Sequence, residues 1–190
     1  SSDEKLLIGR LALLSQKRRT LPSSLWRDIV MNTDQLYVVC EKLEQVFRDG
    51  VCELALMINM PAERIQFAPR LKDPIRAYEK AFDDYQGRFG DHVLPVACVM
   101  DILRCRIVCT NAQRFCECQA GLGGLDFSSG GERARIELVR EKNKFRALDP
   151  THFRNILNNV LVSQGGVSTL AEIQLHHDII LTHNESSGAH

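Results

Sequence analysis

Two carboxylates and a set of cations are the residues of this sequence best suited to chemistry on phosphates. Asp101 and Glu172 fall in segments that we predict to be separate strands, and together they could supply two hard oxygen ligands. Mg²⁺ typically takes one or two protein carboxylates and completes its shell with water and phosphate. The cations are Arg70, Lys72, Arg76, Lys80 and Arg106. Such a set is the minimum for phosphoryl transfer, in which catalysis is mostly positioning and charge neutralisation.

The basic residues also have a simpler interpretation. Arg76 and Lys80 are one helical turn apart, and the same segment carries Glu79, Asp83 and Asp84. These acids could compensate the basic charge along a solvated helix face. Taken alone, the spacing favours the solvated face, because it does not show that the cations and the carboxylates converge.

A glycine-rich stretch and a histidine group are weaker candidates. Gly121–Gly124 resembles a nucleotide loop, but Asp126 stands where the third glycine of the dinucleotide fingerprint belongs, and a Walker lysine is missing. We therefore interpret the stretch as a connection. His176 and His177 are adjacent on a predicted strand, so they face opposite ways and do not form one tight metal site with His183. Surface or pocket-lining histidines are the favoured interpretation.

The seven cysteines favour buried thiols over a metal or disulfide framework. Five of them lie in one stretch without a C-x-x-C pair, which argues against structural zinc. An odd number leaves at least one thiol unpaired in a monomer. Small buried hydrophobic side chains in a reducing compartment are the expected role, so we predict an intracellular protein.

The composition is that of one globular domain, or of one domain with a helical extension. The 190 residues include 24 Lys and Arg against 24 Asp and Glu, with 44% hydrophobic residues. Zero formal charge argues against an extended nucleic-acid surface, which usually needs a basic excess. Apolar runs fall short of the roughly 20 residues of a membrane-spanning helix, and the start does not resemble a signal peptide. We therefore expect a soluble protein, and a homo-oligomer is compatible with the sequence.

Helices are predicted for the first third of the chain. Apolar residues recur at helical spacing through residues 1–60, with a break at Leu21–Ser24 and a second periodic segment over Asp34–Ile58. The region has no histidine, so it cannot hold the His-Asp metal site of a phosphohydrolase. Asp73 followed by Pro74 predicts a helix start, and this helix should extend to about Tyr85.

Strands dominate the rest of the chain. Asp101–Cys109 alternates with Arg104 and Arg106 on one face, which predicts a strand with a basic side. A helix over Gln113–Leu122, a loop or hairpin over Gly121–Gly131, and three further strands follow. Those strands are Arg133–Arg140, Asn155–Val162 and Val167–Leu175, the last two joined across Gly165-Gly166. This order predicts an α+β fold, with a mixed sheet of about five strands flanked by helices.

Four segments, in a fixed order, carry a family resemblance. Residues 70–80 are similar to R-x-K-[ST]-P-x-S-x-x-x-K, and residues 101–107 are similar to D-[IL]-x-G-[VI]-R-I. Lys142–Arg154 is loosely similar to a segment that runs from K-D-Y to P-x-G-Y-R, and residues 171–175 are similar to an E-I-Q-[IVL] strand. With these motifs the chain resembles the RelA/SpoT-type alarmone synthetases, which have a nucleotidyltransferase-like fold.

The resemblance implies a reaction and a set of site residues. Members of the family transfer the β,γ-pyrophosphate of ATP to the ribose 3′-hydroxyl of GDP or GTP. By motif position, Asp101 and Glu172 would bind Mg²⁺, and Glu172 would also take the proton of the attacking hydroxyl. The residues assigned to the ATP phosphates are Arg70, Lys72, Lys80 and Arg106. The residues assigned to the acceptor nucleotide are Phe153, which would stack on guanine, Arg154, Lys142 and Gln174.

Several positions depart from the family pattern. Arg76 replaces a serine, Arg104 replaces a glycine near the expected ATP site, and Phe153 replaces a tyrosine. Leu157 stands where the family has a histidine, and His176 follows the E-I-Q-[IVL] strand where the family has an arginine. The carboxylate pair and most of the phosphate cations are kept. The departures therefore bear on the acceptor more than on the fold.

Two functions and one domain division follow from the sequence. The favoured function is a Mg²⁺-dependent pyrophosphotransferase that moves the pyrophosphate of ATP to the ribose 3′-hydroxyl of a guanine or other nucleotide. The alternative is an inactive RelA/SpoT-like domain that serves as a nucleotide-binding or assembly module. We expect a helical extension over residues 1–60 that packs on a synthetase-like domain over residues 61–190. The family continues with a helix after the last strand, so we also expect the domain to extend past His190.

Overall fold

The computed structural model describes residues 23–88, 95–146 and 154–187 of the chain. Within these ranges, side chains are described for residues 33–88, 95–146 and 154–186. The predicted helical segment before residue 21 and the predicted guanine-stacking residue Phe153 lie outside the described residues.

The described ranges contain four α-helices, one of which begins at the polar cap that the sequence predicted. The helices are α1 (Ser23–Met57), α2 (Pro74–Lys80), α3 (Ala112–Leu122) and α4 (Asp178–Ser187). The Asp73 carboxylate accepts hydrogen bonds from the amides of Ile75 and Arg76, so the predicted start at Asp73-Pro74 is confirmed. A π-helical turn over Ala81–Tyr85 continues α2 to its predicted end.

Six strands form one mixed sheet in the described residues. They are β1 (Ile65–Phe67), β2 (Leu103–Cys109), β3 (Leu125–Ser129), β4 (Glu132–Asn143), β5 (Asn155–Gln164) and β6 (Val167–His177). Their spatial order is β1-β2-β6-β5-β4-β3. The pair β2–β6 is parallel and every other neighbouring pair is antiparallel. The predicted α+β class with a mixed sheet is therefore confirmed.

Two short strands differ from the predicted set. β1 has three residues, too few for an alternating pattern to stand out. β3 lies inside the Gly121–Gly131 stretch that we predicted to be a loop or hairpin connection. Leu125 and Ser129 are buried there, and a turn at Gly130-Gly131 with positive φ at both glycines leads into β4. The glycines mark the turn and not the whole segment.

The sheet has one apolar face, called the core face here, and one polar face. Alternation places Cys105, Ile107, Ile173 and Leu175 on the core face, all of them 4% exposed or less. Helix α1 packs closely against this region, because Gly50 leaves room for the side chains of Phe127 and Ile136. A Cβ atom at Gly50 would lie 2.4 Å from Ile136 Cδ1. Full burial of each large apolar side chain contributes about 1.5–3 kcal/mol.

The chain divides into two compact units. The first comprises Ser1–Val38 and Lys72–Ile102, and the second comprises Val39–Leu71 and Leu103–His190. The whole sheet belongs to the second unit. The predicted domain division near residue 60 remains a prediction. In the part of the chain that the structure describes, every helix is too short or too polar to cross a membrane.

Four of the seven cysteines are buried, as the sequence predicted. They are Cys40, Cys105, Cys109 and Cys118. Cys52 and Cys116 are exposed, and Cys98 is half-buried. Cys109 and Cys118 share a hydrogen bond, and all seven thiols are free. Among the described residues, His, Cys, Asp and Glu side chains form no group of three placed to hold a metal ion.

Candidate functional site

Within the first unit, two lysines converge on one carboxylate. The Nζ atoms of Lys72 and Lys80 lie 2.6 Å and 2.9 Å from the same Oδ2 atom of Asp101. Lys80 is the last residue of α2, and Lys72 precedes the capping residue of that helix by one position. The Lys72 amide also donates to the carbonyl of Ile102, at 3.1 Å. All three residues are candidates named from the sequence, and the structure brings them together.

The electrostatics of this cluster favour an ionised carboxylate. Burial raises the pKa of Asp101, but the hydrogen bonds and charges of Lys72 and Lys80 outweigh that effect and hold the pKa below its usual value. Two ammonium groups against one carboxylate leave an excess of one positive charge. Ammonium groups in such a position can bind the oxygens of a polyphosphate.

Tyrosines of the first unit hold the same region in place. The Tyr37 hydroxyl donates to the Lys72 carbonyl, and the Lys80 ammonium lies 6.0 Å from the centre of the Tyr85 ring. Burial raises the pKa of Tyr78, and the Asp34 charge adds to this effect. The main chain before α2 and the end of α2 therefore both have fixed partners.

Within the second unit, the polar face of the sheet carries a second group of candidates. The parallel register of β2 and β6 places Arg104 opposite Glu172 and Arg106 opposite Gln174. His176 follows on the same face of β6, two residues beyond Gln174. Cations and a carboxylate therefore stand side by side on two neighbouring strands.

A pocket of about 350 Å³ opens beside these strands in the second unit. A strand edge, two guanidinium groups and two side-chain amides form part of its wall. Its lining residues are Gln66, Phe67, Ala68, Pro69, Arg104, Cys105, Arg106 and Gln174. Arg104, which stands where the resembled family has a glycine, is one of these lining residues. A cavity of this size with two guanidinium groups suits an anionic ligand.

Hydrogen bonds join the polar side chains of the second unit. The Gln174 Nε2 atom donates to Glu172 Oε1 at 2.6 Å, and His176 Nε2 lies 3.0 Å from Gln174 Oε1. Arg106 donates to the Gln66 side chain and forms an ion pair of 3.0 Å with Glu185. Burial, assisted by the Arg106 charge, lowers the pKa of His176 to about 4, so the ring is neutral at physiological pH.

Solved structures of known proteins share this architecture. The small alarmone synthetase 1 of Bacillus subtilis has a TM-score of 0.54 at 15% identity, with 83% of this chain and 81% of that chain covered. The small alarmone synthetase 2 of the same organism has a TM-score of 0.54 at 14% identity, with 82% and 77% covered. The same synthetase 1 bound to its product pppGpp has a TM-score of 0.50 at 16% identity, with 78% and 74% covered.

The chain has the fold of a small alarmone synthetase. The resemblance to RelA/SpoT-type synthetases that four sequence motifs predicted is thereby confirmed for the fold. No protein-family model matches the sequence, and no curated protein matches it. The likeness is thus one of structure at low sequence identity.

On this alarmone-synthetase fold, one row of paired residues crosses the polar face. Gln66 pairs with Arg106, Arg106 with Gln174, Gln174 with Leu157, and Leu157 with Lys142. Neighbouring strands lie about 4.8 Å apart, so Lys142 stands about 10 Å from Gln174 across β5. The predicted acceptor residues Lys142 and Gln174 are therefore on one face and in one row.

Two other predicted residues lie apart from this row. Arg70 is exposed in the second unit, between β1 and α2. Arg154 is half-buried and directly precedes β5. The substrate-binding roles that the motifs assign to Arg70 and Arg154 therefore stay predictions.

Sequence reasoning did not assign to the site three polar residues that lie on the same face of the sheet as Glu172. Asn159 pairs with Glu172 across β5 and β6 and is buried, and Gln66 and His176 extend the same polar group. Asn159 could have been found, because the predicted turn at Gly165-Gly166 fixes the register of the two strands. Gln66 gave no signal, since β1 is too short to show a pattern.

Proposed function

We propose that this domain transfers the β,γ-pyrophosphate of ATP to the ribose 3′-hydroxyl of a guanine nucleotide. The 3′-oxygen attacks the β-phosphorus of ATP, and the bond from that phosphorus to the α,β-bridging oxygen breaks. AMP leaves with the electrons of that bond, and the proton of the hydroxyl passes to the Glu172 carboxylate. One protein of similar fold is the small alarmone synthetase 1 of Bacillus subtilis, and its structure has been solved with its product pppGpp bound.

One observation carries the proposal. Arg106 and Gln174, two residues that the motifs assign to substrates, line one pocket, and Gln174 donates a hydrogen bond to the proposed base Glu172. A base must lie within reach of the proton that it takes, and a fixed hydrogen-bond partner reduces the number of side-chain orientations that it can adopt. A wall that could bind the anionic substrates, beside a carboxylate with a fixed partner, is what the proposed transfer requires.

The lysines would contribute charge to the same reaction. Lys72 and Lys80 are held by Asp101 within the first unit. Phosphate oxygens of ATP would offer these ammonium groups further anionic partners, and positive charge there would stabilise the departing AMP phosphate. Arg70 and Arg106 are the other residues that we assign to ATP, while Phe153, Arg154, Lys142 and Gln174 are those assigned to the acceptor.

The donor chemistry fits Mg²⁺ as the metal cofactor. Asp101 is a carboxylate whose pKa is lowered, which makes it an anionic hard oxygen donor, and Glu172 supplies a second carboxylate. From their motif positions, we assign Mg²⁺ to Asp101 and Glu172. A magnesium ion bound there would neutralise phosphate charge.

A second function is a nucleotide-binding or assembly module without catalysis. Its support is the Lys72–Asp101–Lys80 cluster, since both ammonium groups already bind one oxygen of a carboxylate that the first function assigns to the metal ion. A domain that kept the cluster only for binding would take up ATP without releasing AMP.

Thermal melting followed by product analysis separates the two functions. The protein is melted with MgCl₂ and, in turn, ATP, GTP, GDP, and ATP paired with GTP or with GDP, because a ligand that binds the native state raises the melting temperature by mass action. Each mixture is then separated by chromatography to detect AMP. Stabilisation by ATP with AMP formed only when GTP or GDP is also present supports the transferase. Stabilisation without AMP supports the binding module, and no stabilisation by millimolar nucleotide contradicts both.

A further inference from the structure

The hydrogen bonds on β6 extend beyond the residues that the motifs assign. Glu172, Gln174 and His176 alternate along one face of the strand, and their side chains join in sequence. We infer that His176 is a positioning residue, which fixes the Gln174 side-chain amide so that its NH₂ group donates to the Glu172 carboxylate. The part that these linked hydrogen bonds play in the reaction rests on the proposed function of Glu172 as the base.

The acceptor character of the carboxylate determines which groups donate and which accept along the series Glu172, Gln174 and His176. A carboxylate offers only acceptor atoms, so the group of Gln174 that lies 2.6 Å from Glu172 Oε1 must be its NH₂ group. The amide oxygen of Gln174 then points to His176 Nε2, at 3.0 Å, and it needs a donor there. His176 must therefore carry its proton on Nε2.

Burial of the His176 ring favours one protonation state and one hydrogen-bonded orientation of that ring. His176 is only 3% exposed, so water does not compete freely for its ring nitrogens. Its pKa is lowered to about 4 by burial and by the charge of Arg106, against the opposing effect of Glu185. The ring is thus neutral near pH 7, and its single proton lies on Nε2.

The positioning role of His176 is specific to this protein, because the family motif does not include this histidine. The E-I-Q-[IVL] motif accounts for Glu172 and Gln174, whereas His176 stands where the resembled family has an arginine. An arginine would also donate to the amide oxygen, but it would bring a fixed positive charge close to Arg106. A neutral histidine supplies the donor without adding to the charge of the two guanidinium groups that line the pocket.

Enzyme kinetics on two His176 variants test the inference. His176→Leu removes the donor at similar volume, and His176→Gln restores an amide donor near the position of Nε2. We expect kcat to fall about 10- to 100-fold in H176L, as is usual when an orienting partner is lost, with KM for ATP unchanged. H176Q should recover most of kcat. Equal loss in H176L and H176Q, or no loss in H176L, would overturn the inference.

A neighbouring histidine provides the matched control. His177 lies on the opposite face of β6, where its ring stacks on Phe115. His177→Leu also replaces a histidine of this strand by leucine, and kcat should remain at the wild-type value. If H177L lowers kcat as much as H176L does, the effect belongs to the strand and not to His176.

Nitrogen NMR of the wild-type protein tests the geometry without any reaction. The ¹⁵N shifts of the His176 ring distinguish a proton on Nε2 from one on Nδ1, and we expect the Nε2 form. A proton on Nδ1 would overturn the inference even in an active enzyme. If the wild type forms no product with any nucleotide, the proposed function fails, and the NMR result still decides whether the hydrogen-bond chain exists.

Discussion

The Lys72 ammonium nitrogen lies 2.6 Å from the Oδ2 atom of Asp101, although 29 positions separate the two residues in the sequence. Lys80 reaches the same oxygen from the end of α2. Helix α2 begins at the Asp73-Pro74 cap, directly after Lys72, and ends at Lys80. Asp101 consequently has a structural role in the first unit, besides the metal-binding role that we propose.

Asp101→Asn should destabilise the protein by about 2 kcal/mol at pH 7, because two largely buried ammonium groups lose their anionic partner. The lowered pKa of Asp101 means that its contribution is present above the unfolded-state pKa and is lost as the pH falls through the folded-state pKa. Urea unfolding at pH 7 and at acidic pH measures both effects. The difference between D101N and wild type should therefore shrink in acid.

Asp84→Asn is the matched control for that experiment, since Asp84 is an exposed carboxylate of the same unit. Its effect should be within about 0.5 kcal/mol. Equal stability of D101N and wild type at pH 7 would show that the two lysines do not depend on Asp101.

Arg104→Gly should weaken ATP binding about 10-fold, which corresponds to the loss of one charge-assisted hydrogen bond. Arg104 lines the pocket of the second unit together with Arg106, so its removal takes away positive charge and not an obstruction. Isothermal titration calorimetry with ATP and Mg²⁺ measures the change, and R104K, which keeps the charge, should show a smaller loss. Tighter binding by R104G would mean that Arg104 blocks the pocket.

His176 should make the stability of the protein depend on pH. Its pKa is about 4 in the folded state and about 6.5 when unfolded, so between these values the unfolded chain binds more protons. Stability is then complete above about pH 6.5 and falls as the pH drops toward 4, by about 3 kcal/mol. Urea unfolding across this range should show a flatter pH dependence for H176L than for wild type and H177L. An unchanged slope in H176L would contradict the assignment.

The helices and long strands were predictable because local rules determine them. The Asp-Pro cap of α2, the alternation of β2 and the paired glycines between β5 and β6 each act within a few residues. The Gly165-Gly166 turn even fixes which residues of the two strands face each other, through positive φ at both positions. The register that places Asn159 opposite Glu172 follows from it.

Contacts between distant residues were not predictable from those rules. The sequence suggested that Lys72, Lys80 and Asp101 serve phosphates, but their convergence depends on how α2 meets the segment before β2. Likewise, strand alternation placed Glu172 and Gln174 on one face, whereas the role of His176 depends on burial and on the orientation of an amide. His176 was interpreted from the sequence only as a surface or pocket-lining histidine, and the structure places it among the buried residues.

The most direct test of the proposed reaction is the release of AMP from ATP by wild type and by Glu172→Gln, measured by chromatography with GTP and Mg²⁺ present. Glu53→Gln is the control, since Glu53 is an exposed acid of α1. We predict that wild type and E53Q release AMP only when GTP or GDP is added. E172Q should release none while it melts at the wild-type temperature, because the substitution removes a charge and almost no volume. Wild-type turnover retained in E172Q, or no AMP from wild type with either acceptor, would contradict the proposal.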